Sequence, residues 1–300
     1  MDRLFLFLFT YVMMLLSMTT TLEKFEALST YIESLGDLAR DYFNSDSSFN
    51  EQKSDGSVVT HVDKLIETKL RSFIEEHFPG EAVLGEEHGL TSGSTEFVWA
   101  IDPIDGTDNF VRKIPFFAIT VARLGSSSEG SFAIIYNPIS RQLFSSFAGG
   151  PVTENGRPCT IPKEGIGGRH FITVTGTNSS GEWIKPARQH IQRALYLEFG
   201  KSGHYHSSLL ELAYVAVGRF DGILQIEMSA WDSAAGLSMV QANHGAISVL
   251  KGSVWQRHEG LLKELYGADF LGRPTVFSSR ADIHERALMM IGNPRTWTEV

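Results

Sequence analysis

The sequence predicts a mixed α+β and α/β protein. Two amphipathic helices lie on an antiparallel sheet, and a smaller α/β layer follows, so that the whole stacks as an αβαβα sandwich. Three observations carry this reading. Apolar residues recur at a helical period through residues 22–42 and again through 62–74. Short apolar runs between residues 82 and 147 are separated by turn formers. Past residue 150 the pattern becomes strand, helix, strand, helix, which favours an α/β layer.

The first residues stand apart from that pattern. Leu4 to Leu16 is almost wholly apolar, with only Asp2 and Arg3 ahead of it. Thirteen residues are too few to span a bilayer and match the core of a signal peptide, but Ser17-Met18-Thr19 is a poor cleavage site. The segment reads as an upstream start extension, a secretory signal or a membrane anchor, with the extension preferred. Residues 1–21 are therefore expected to lie outside the fold, and the protein to be cytoplasmic and not membrane-bound.

The first helix carries Leu22, Phe25, Leu28, Ile32, Leu35, Leu38 and Tyr42 on one stripe. A polar loop follows, and Thr60 then caps a second helix with Asp63 as its capping-box partner. Val62, Leu65, Ile66, Leu70, Phe73 and Ile74 form the buried face, and Pro79-Gly80 ends it. Runs at Ala82–Leu84, Phe97–Ile101, Phe116–Leu124, Phe132–Tyr136 and Gln142–Phe147 read as strands. Gly149-Gly150-Pro151 and the turn-rich Glu154–Pro158 mark the best domain boundary, giving an N-terminal metal-binding domain of 22–150 and a C-terminal domain of 151–300. In the latter, strands are expected at Phe171–Val174, Asp221–Ile226 and Ala246–Leu250, and helices at Glu182–Ala194, His206–Val217 and Ser233–Asn243. Ser253 to Arg273 promises only irregular structure and a short helix.

Chemistry concentrates where the Phe97–Ile101 run ends. Asp102 and Asp105 stand three residues apart, with Pro103 between them and Gly106-Thr107 behind. Proline fixes φ and glycine permits a sharp reversal, so both carboxylates are held on a stiff turn. Two carboxylates facing one space repel unless a cation lies between them, and Mg²⁺ held by a few carboxylates plus substrate phosphate answers that need. The amides of Gly106 and Thr107 sit at a helix start, where an anion is welcome. Read alone, the same string also fits an ordinary acidic turn.

Composition sets the outer limits. Charged residues at 20 % and hydrophobic residues at 42 % describe an ordinary globular chain. A formal net charge of −9 and the lack of any Lys/Arg run argue against a nucleic-acid partner. Bound metal would reverse that negative field locally for a phosphorylated substrate. Cys159 is the sole cysteine, so no intrachain disulfide forms and a Cys-based metal site is not expected.

Asp102-Pro-Ile-Asp-Gly-Thr-Asp-Asn109 resembles the D-P-[ILV]-D-G-T-x-N signature of the inositol monophosphatase family, the lithium-sensitive, Mg²⁺-dependent sugar-phosphate phosphatases. Gly85-Glu86-Glu87 resembles the upstream G-E-E block, and Trp231-Asp232-Ser-Ala-Ala-Gly236 the downstream W-D-x-A-A-G block. The resemblance implies a homodimer that hydrolyses a small phosphate monoester through two Mg²⁺ ions about 3.5–4 Å apart. It assigns Asp102 as the bridging ligand, Glu86 and the Ile104 carbonyl to one ion, and Asp105 and Asp232 to the other. Thr107, paired with Glu86, would position the attacking water, and the Gly106 and Thr107 amides would bind phosphate. Lys53 and Asp63 would lie in an outer layer tuning a third, weaker metal, although capping alone accounts for Asp63 equally well. For Asp232 the plain alternative is a carboxylate in a first helical turn.

Two departures bear on substrate. Family members place an acid seven residues before the aspartate of the W-D block, where it accepts substrate hydroxyls. Gln225 occupies that position here, with one acceptor oxygen and two donors. It either reads substrate or bonds a neighbouring loop. His206-Ser-Ser-Leu209 replaces the family's G-[ST]-A-A, and His204 with His206 reads as a surface or substrate-loop pair, not a zinc site. Inositol monophosphate is the expected substrate. Histidinol phosphate and adenosine 3′,5′-bisphosphate are the alternatives, and a catalytically silent binding protein of the same fold is the alternative of another class.

Overall fold

The computed structural model describes residues 3–45, 50–52, 58–161, 170–176 and 184–293. Helix α1 (Arg3–Asn44) is continuous, and strands β1 (Asn50–Gln52) and β2 (Val58–Thr60) form a small hairpin ahead of α2 (His61–His77). Next come β3 (Glu81–Gly85), β4 (Gly89–Thr91), β5 (Ser94–Asp105), the single-turn α3 (Thr107–Val111), β6 (Ala118–Leu124), β7 (Phe132–Asn137) and β8 (Gln142–Phe147). A hairpin of β9 (Thr153–Glu154) and β10 (Arg157–Pro158) extends the same sheet, whose order is β10-β9-β8-β7-β6-β5-β3-β4.

The remainder is β11 (His170–Gly176), α4 (Ile184–Phe199), β12 (Gly200–Gly203), α5 (Ser208–Ala216), β13 (Gly222–Ile226), α6 (Ala234–Ala242), β14 (Ala246–Lys251), β15 (Val254–Arg257), a 3₁₀ turn at Leu262–Tyr266, β16 (Val276–Ser279) and α7 (His284–Ile291). These strands form a second sheet ordered β12-β11-β13-β16-β14-β15.

Alternation along the strands divides the core into layers. Val83, Trp99, Ile101, Ile119, Val121 and Ile134 face α1 and α2, joining Leu28, Ile32, Leu35, Val62, Ile66 and Leu70. The opposite face of that sheet is rich in alanine (Ala82, Ala100, Ala118, Ala122, Ala133), which lets helices sit close. There it meets α5 and α6, which pack in turn on Ile223, Ile247, Val249 and Val276 of the second sheet. Ile172, Val174, Leu224 and Phe277 point the other way, onto α4 and α7. The layers run helix, sheet, helix, sheet, helix, as the sequence predicts.

Some details differ from expectation. β3 pairs with β5 in parallel, so the first sheet is mixed and not wholly antiparallel. The reason is β4, which folds back on β3 at the sheet edge before the chain passes to the other side of β3. β12, β15, β16 and α7 are additions. Among the described residues, no helix is long and apolar enough to cross a membrane. Lys53 and the start of the helix expected at Glu182 lie outside the described residues.

Candidate active site

The site grows from a defect in β5. Asp102 pairs with Thr120 and Asp105 with Ala118, so three steps on β5 match two on β6. The extra residue breaks the ladder and turns Asp102, Ile104 and Asp105 out of regular pleating. The Ile104 amide donates to Asp102 Oδ1 at 3.0 Å, which fixes that carboxylate against its own turn. Gly106 follows with φ +93°, and a Cβ there would stand 2.8 Å from the His206 carbonyl oxygen, so only glycine fits.

Asp105 reaches across 102 residues and more to the start of α5. Oδ2 accepts the Ser207 hydroxyl at 2.6 Å and the Leu209 amide at 2.8 Å, and Oδ1 accepts the Ser208 amide at 3.1 Å. Asp105 is thus a tertiary N-cap for α5, supplied from another sheet. The Ser208 hydroxyl donates to the Asp232 carbonyl at 2.7 Å, and the Gln225 side-chain amide donates to the same oxygen at 3.2 Å. Gln225, expected either to read substrate or to bond a neighbouring loop, is 1 % exposed, and its side-chain amide bonds the loop that carries Asp232.

Asp63 combines both readings entertained for it. It closes the capping box at the start of α2, accepting the Thr60 amide at 2.9 Å and the Thr60 hydroxyl on Oδ2. Its Oδ1 stands 3.2 Å from the Thr107 hydroxyl, which also lies 3.0 Å from the Ile104 carbonyl oxygen. Thr107 therefore meets Asp63, a partner the sequence reading did not give it. Glu86 lies in the turn between β3 and β4, its amide donating to the Ile101 carbonyl at 3.3 Å. That bond places Glu86 beside β5, one residue before Asp102.

The electrostatics show that these groups share one space. Burial first, then the charges of Glu86, Asp105, Asp232 and Asp63, push the Asp102 carboxyl well above the ordinary carboxylate range. Asp232 is pushed up by burial and then by Glu86 and Asp105, with Arg273 pulling the other way. Asp63 rises to about 7 through burial, with Glu86 and Glu87 adding to it against the Thr60 hydrogen bonds. Asp105 also rises to about 7 through burial, despite its bonds from Ser207 and Leu209. Buried acids that raise one another make an oxygen-rich set suited to a hard divalent cation. Among the described residues, however, no three His, Cys, Asp or Glu side chains are gathered into a ready metal cage. The donor chemistry of these carboxylates fits Mg²⁺.

The loop before α5 completes the surroundings. Asn109 donates from one amide nitrogen to the carbonyls of Phe116 and Tyr205, both at 2.7 Å, tying this loop to the Asp102–Thr107 turn. His206 takes φ +60°, and its ring lies 4.0 Å, centroid to centroid, from that of His204. His204 Nδ1 is 3.5 Å from Glu211 Oε1, inside a fully buried first turn of α5. The sequence reading missed Glu67 on α2, whose helical spacing four residues after Asp63 was the only signal. It also missed the role of Ser207 and Ser208 as donors to Asp105.

Known proteins share this sequence pattern and this fold. The sequence profile of the inositol monophosphatase family matches residues 22–286. Nus factor SuhB of Escherichia coli K12 is 32 % identical over 218 residues, covering 72 % of this chain and 80 % of its own. An inositol-1-monophosphatase of Caulobacter vibrioides is 28 % identical, covering 84 % of this chain and 93 % of its own. Among solved structures, the inositol monophosphatase of Anabaena (Nostoc) sp. PCC 7120 superposes with a TM-score of 0.67 at 25 % identity, covering 90 % of this chain and all of its own. The match takes in all three sequence blocks and the turn they build, and this chain belongs to the inositol monophosphatase family.

Proposed function

We propose that this chain hydrolyses a small phosphate monoester, inositol monophosphate before others, with water activated at a Mg²⁺ site. One observation carries the reading: Glu86, Asp105, Asp232 and Asp63 all lie close enough to the buried Asp102 carboxyl, at the end of β5, to raise it. Glu86, Asp102, the Ile104 carbonyl, Asp105 and Asp232 are the groups that would hold the metal. When bound, Mg²⁺ supplies positive charge to the phosphate and acidifies water. The Thr107 hydroxyl, set between Asp63 and the Ile104 carbonyl, orients the attacking water. Asp63, with a carboxyl near neutrality, takes the proton that this water loses. The Gly106 and Thr107 amides hold phosphate oxygens as charge builds there. The water oxygen forms a new P–O bond as the P–O bond to the alcohol breaks, inorganic phosphate results, and the departing alkoxide takes its proton from solvent water.

A second reading is a catalytically silent binding protein of this fold. It is favoured by the name Nus factor of a 32 % identical relative. Phosphate release decides between them. The purified chain is assayed with and without Mg²⁺ on inositol 1-phosphate, histidinol phosphate, fructose 1,6-bisphosphate and adenosine 3′,5′-bisphosphate. Mg²⁺-dependent turnover, fastest on inositol 1-phosphate, is expected. No release from any ester at saturating Mg²⁺ would leave the silent reading standing.

A further inference from the structure

Glu67 is completely buried on α2, yet it bonds chiefly outside its own helix. Its Oε2 accepts the Glu87 amide at 2.7 Å, and its Oε1 accepts the His88 amide at 3.1 Å. The His88 ring nitrogen Nδ1 lies 3.1 Å from the same Oε1. Arg71, one turn along α2, donates to Oε1 at 2.8 Å and reaches on to the Gly89 carbonyl at 2.5 Å. Gly85, on the other side of Glu86, has no room for a side chain, because a Cβ would stand 2.2 Å from Glu67 Oε1.

Glu86 is therefore bracketed. The residue before it must be glycine to let Glu67 in, and the two after it are fastened to Glu67 by their backbone. A carboxylate serves this geometry because it offers acceptors on both oxygens and no donor, so neither amide is left facing a proton. Charged acceptors also hold such bonds more tightly than neutral ones. An ion pair with Arg71 needs none of these contacts to the turn, so pairing alone does not account for the arrangement.

We infer that Glu67 is a positioning residue for Glu86: it holds the Gly85–His88 turn so that the Glu86 carboxylate meets the Asp102 site at the geometry a divalent cation requires. The inference rests on the Mg²⁺ reading proposed above. Its effect runs through the turn, so it belongs to metal affinity and not only to fold stability.

The test is calorimetric titration with Mg²⁺ alone on the full chain, with circular dichroism to verify folding. Glu67→Gln is nearly isosteric but turns an amide donor toward one of the two backbone amides. It should weaken Mg²⁺ binding at least tenfold. Glu86→Ala should weaken it as well, and Glu67→Gln added to Glu86→Ala should cause no further loss, because the two act through one ligand. If Glu67→Gln does not fold, Glu67→Asp keeps the charge beside Arg71 while drawing the oxygens back by one methylene, and the same tenfold loss is expected. Affinity within threefold of the parent in a folded Glu67 variant overturns the assignment, as does full additivity with Glu86→Ala. A parent that binds no Mg²⁺ overturns the metal reading itself, and this role for Glu67 with it.

Discussion

Asp105 shows how one residue serves two demands. As a lone carboxylate on an acidic turn it suggests repulsion, and an amide in its place would then relieve strain. The structure gives it three donors from Ser207, Ser208 and Leu209, and burial stands first among the causes that raise its carboxyl. Asp105→Asn turns a donor toward one of those donors and loosens the start of α5. The metal-free variant should therefore lose about 1–3 kcal/mol in urea denaturation, not gain stability. An unchanged or raised midpoint would show that the cap on α5 contributes nothing. Gln225 is argued the same way. A carboxylate there would face the Asp232 carbonyl without a proton to give, so Gln225→Glu should lower kcat/KM on every ester by tenfold or more. A selective gain on inositol 1-phosphate would instead place Gln225 against substrate.

Among the elements, α7 and the β3–β4 turn each hang on one contact set. His284 begins α7, with Nε2 2.8 Å from the Ser248 hydroxyl and Nδ1 2.8 Å from that of Ser279. Burial, and then Arg257, hold its pKa down to about 4. The unfolded chain would take up a proton near pH 6.5, so this contribution is present in full above that pH and is lost as pH falls toward 4. The gap in stability between the parent and His284→Gln should narrow by about 2 kcal/mol between pH 7 and pH 5. A gap independent of pH would mean that His284 titrates normally. In the turn, Gly85→Ala should cost about 1–3 kcal/mol by forcing Glu67 aside, measurable as a lowered denaturation midpoint. The His284 contacts have no periodic signal in the sequence, and Glu67 has only its helical spacing four residues after Asp63. β12 is Gly-Lys-Ser-Gly and β16 has two apolar residues in four, so both strands form through neighbours and not through pattern. By contrast, the stripes of α1 and α2 lie largely where their spacing puts them, although Leu22 is exposed and Leu65 and Phe73 are only partly buried. The three sequence blocks point to Glu86, Asp102, Asp105 and Asp232 as candidates because the spacing within each block is local. The donors to Asp105 come from a chain segment about a hundred residues away, which no local reading reaches.

Across the whole molecule, the buried acids make stability depend on protons and on cations together. Asp63 and Asp105 bind protons up to about pH 7 in the fold but only to about pH 4 when unfolded. Their contribution is complete below pH 4 and is lost as pH rises through 7, the opposite sense to that of His284. Asp102 and Asp232 shift in the same direction. In EDTA the chain should therefore melt lower at pH 8 than at pH 5. Added Mg²⁺ should raise the melting temperature more at pH 8, where the carboxylates are ionised. Equal effects of Mg²⁺ at the two pH values would place cation binding away from these acids.

The central pair of helices carries one more consequence. α5 and α6 are sandwiched between the two sheets, with the first turn of α5 fastened to Asp105 of one sheet and the loop ahead of α6 held by Gln225 of the other. Such a site is a seam and not the property of either half. Separate polypeptides ending and beginning near residue 161 would each lack part of the acid cluster or its anchors. Catalysis should then return only when the two are mixed, making reassociation of the halves readable as the recovery of turnover.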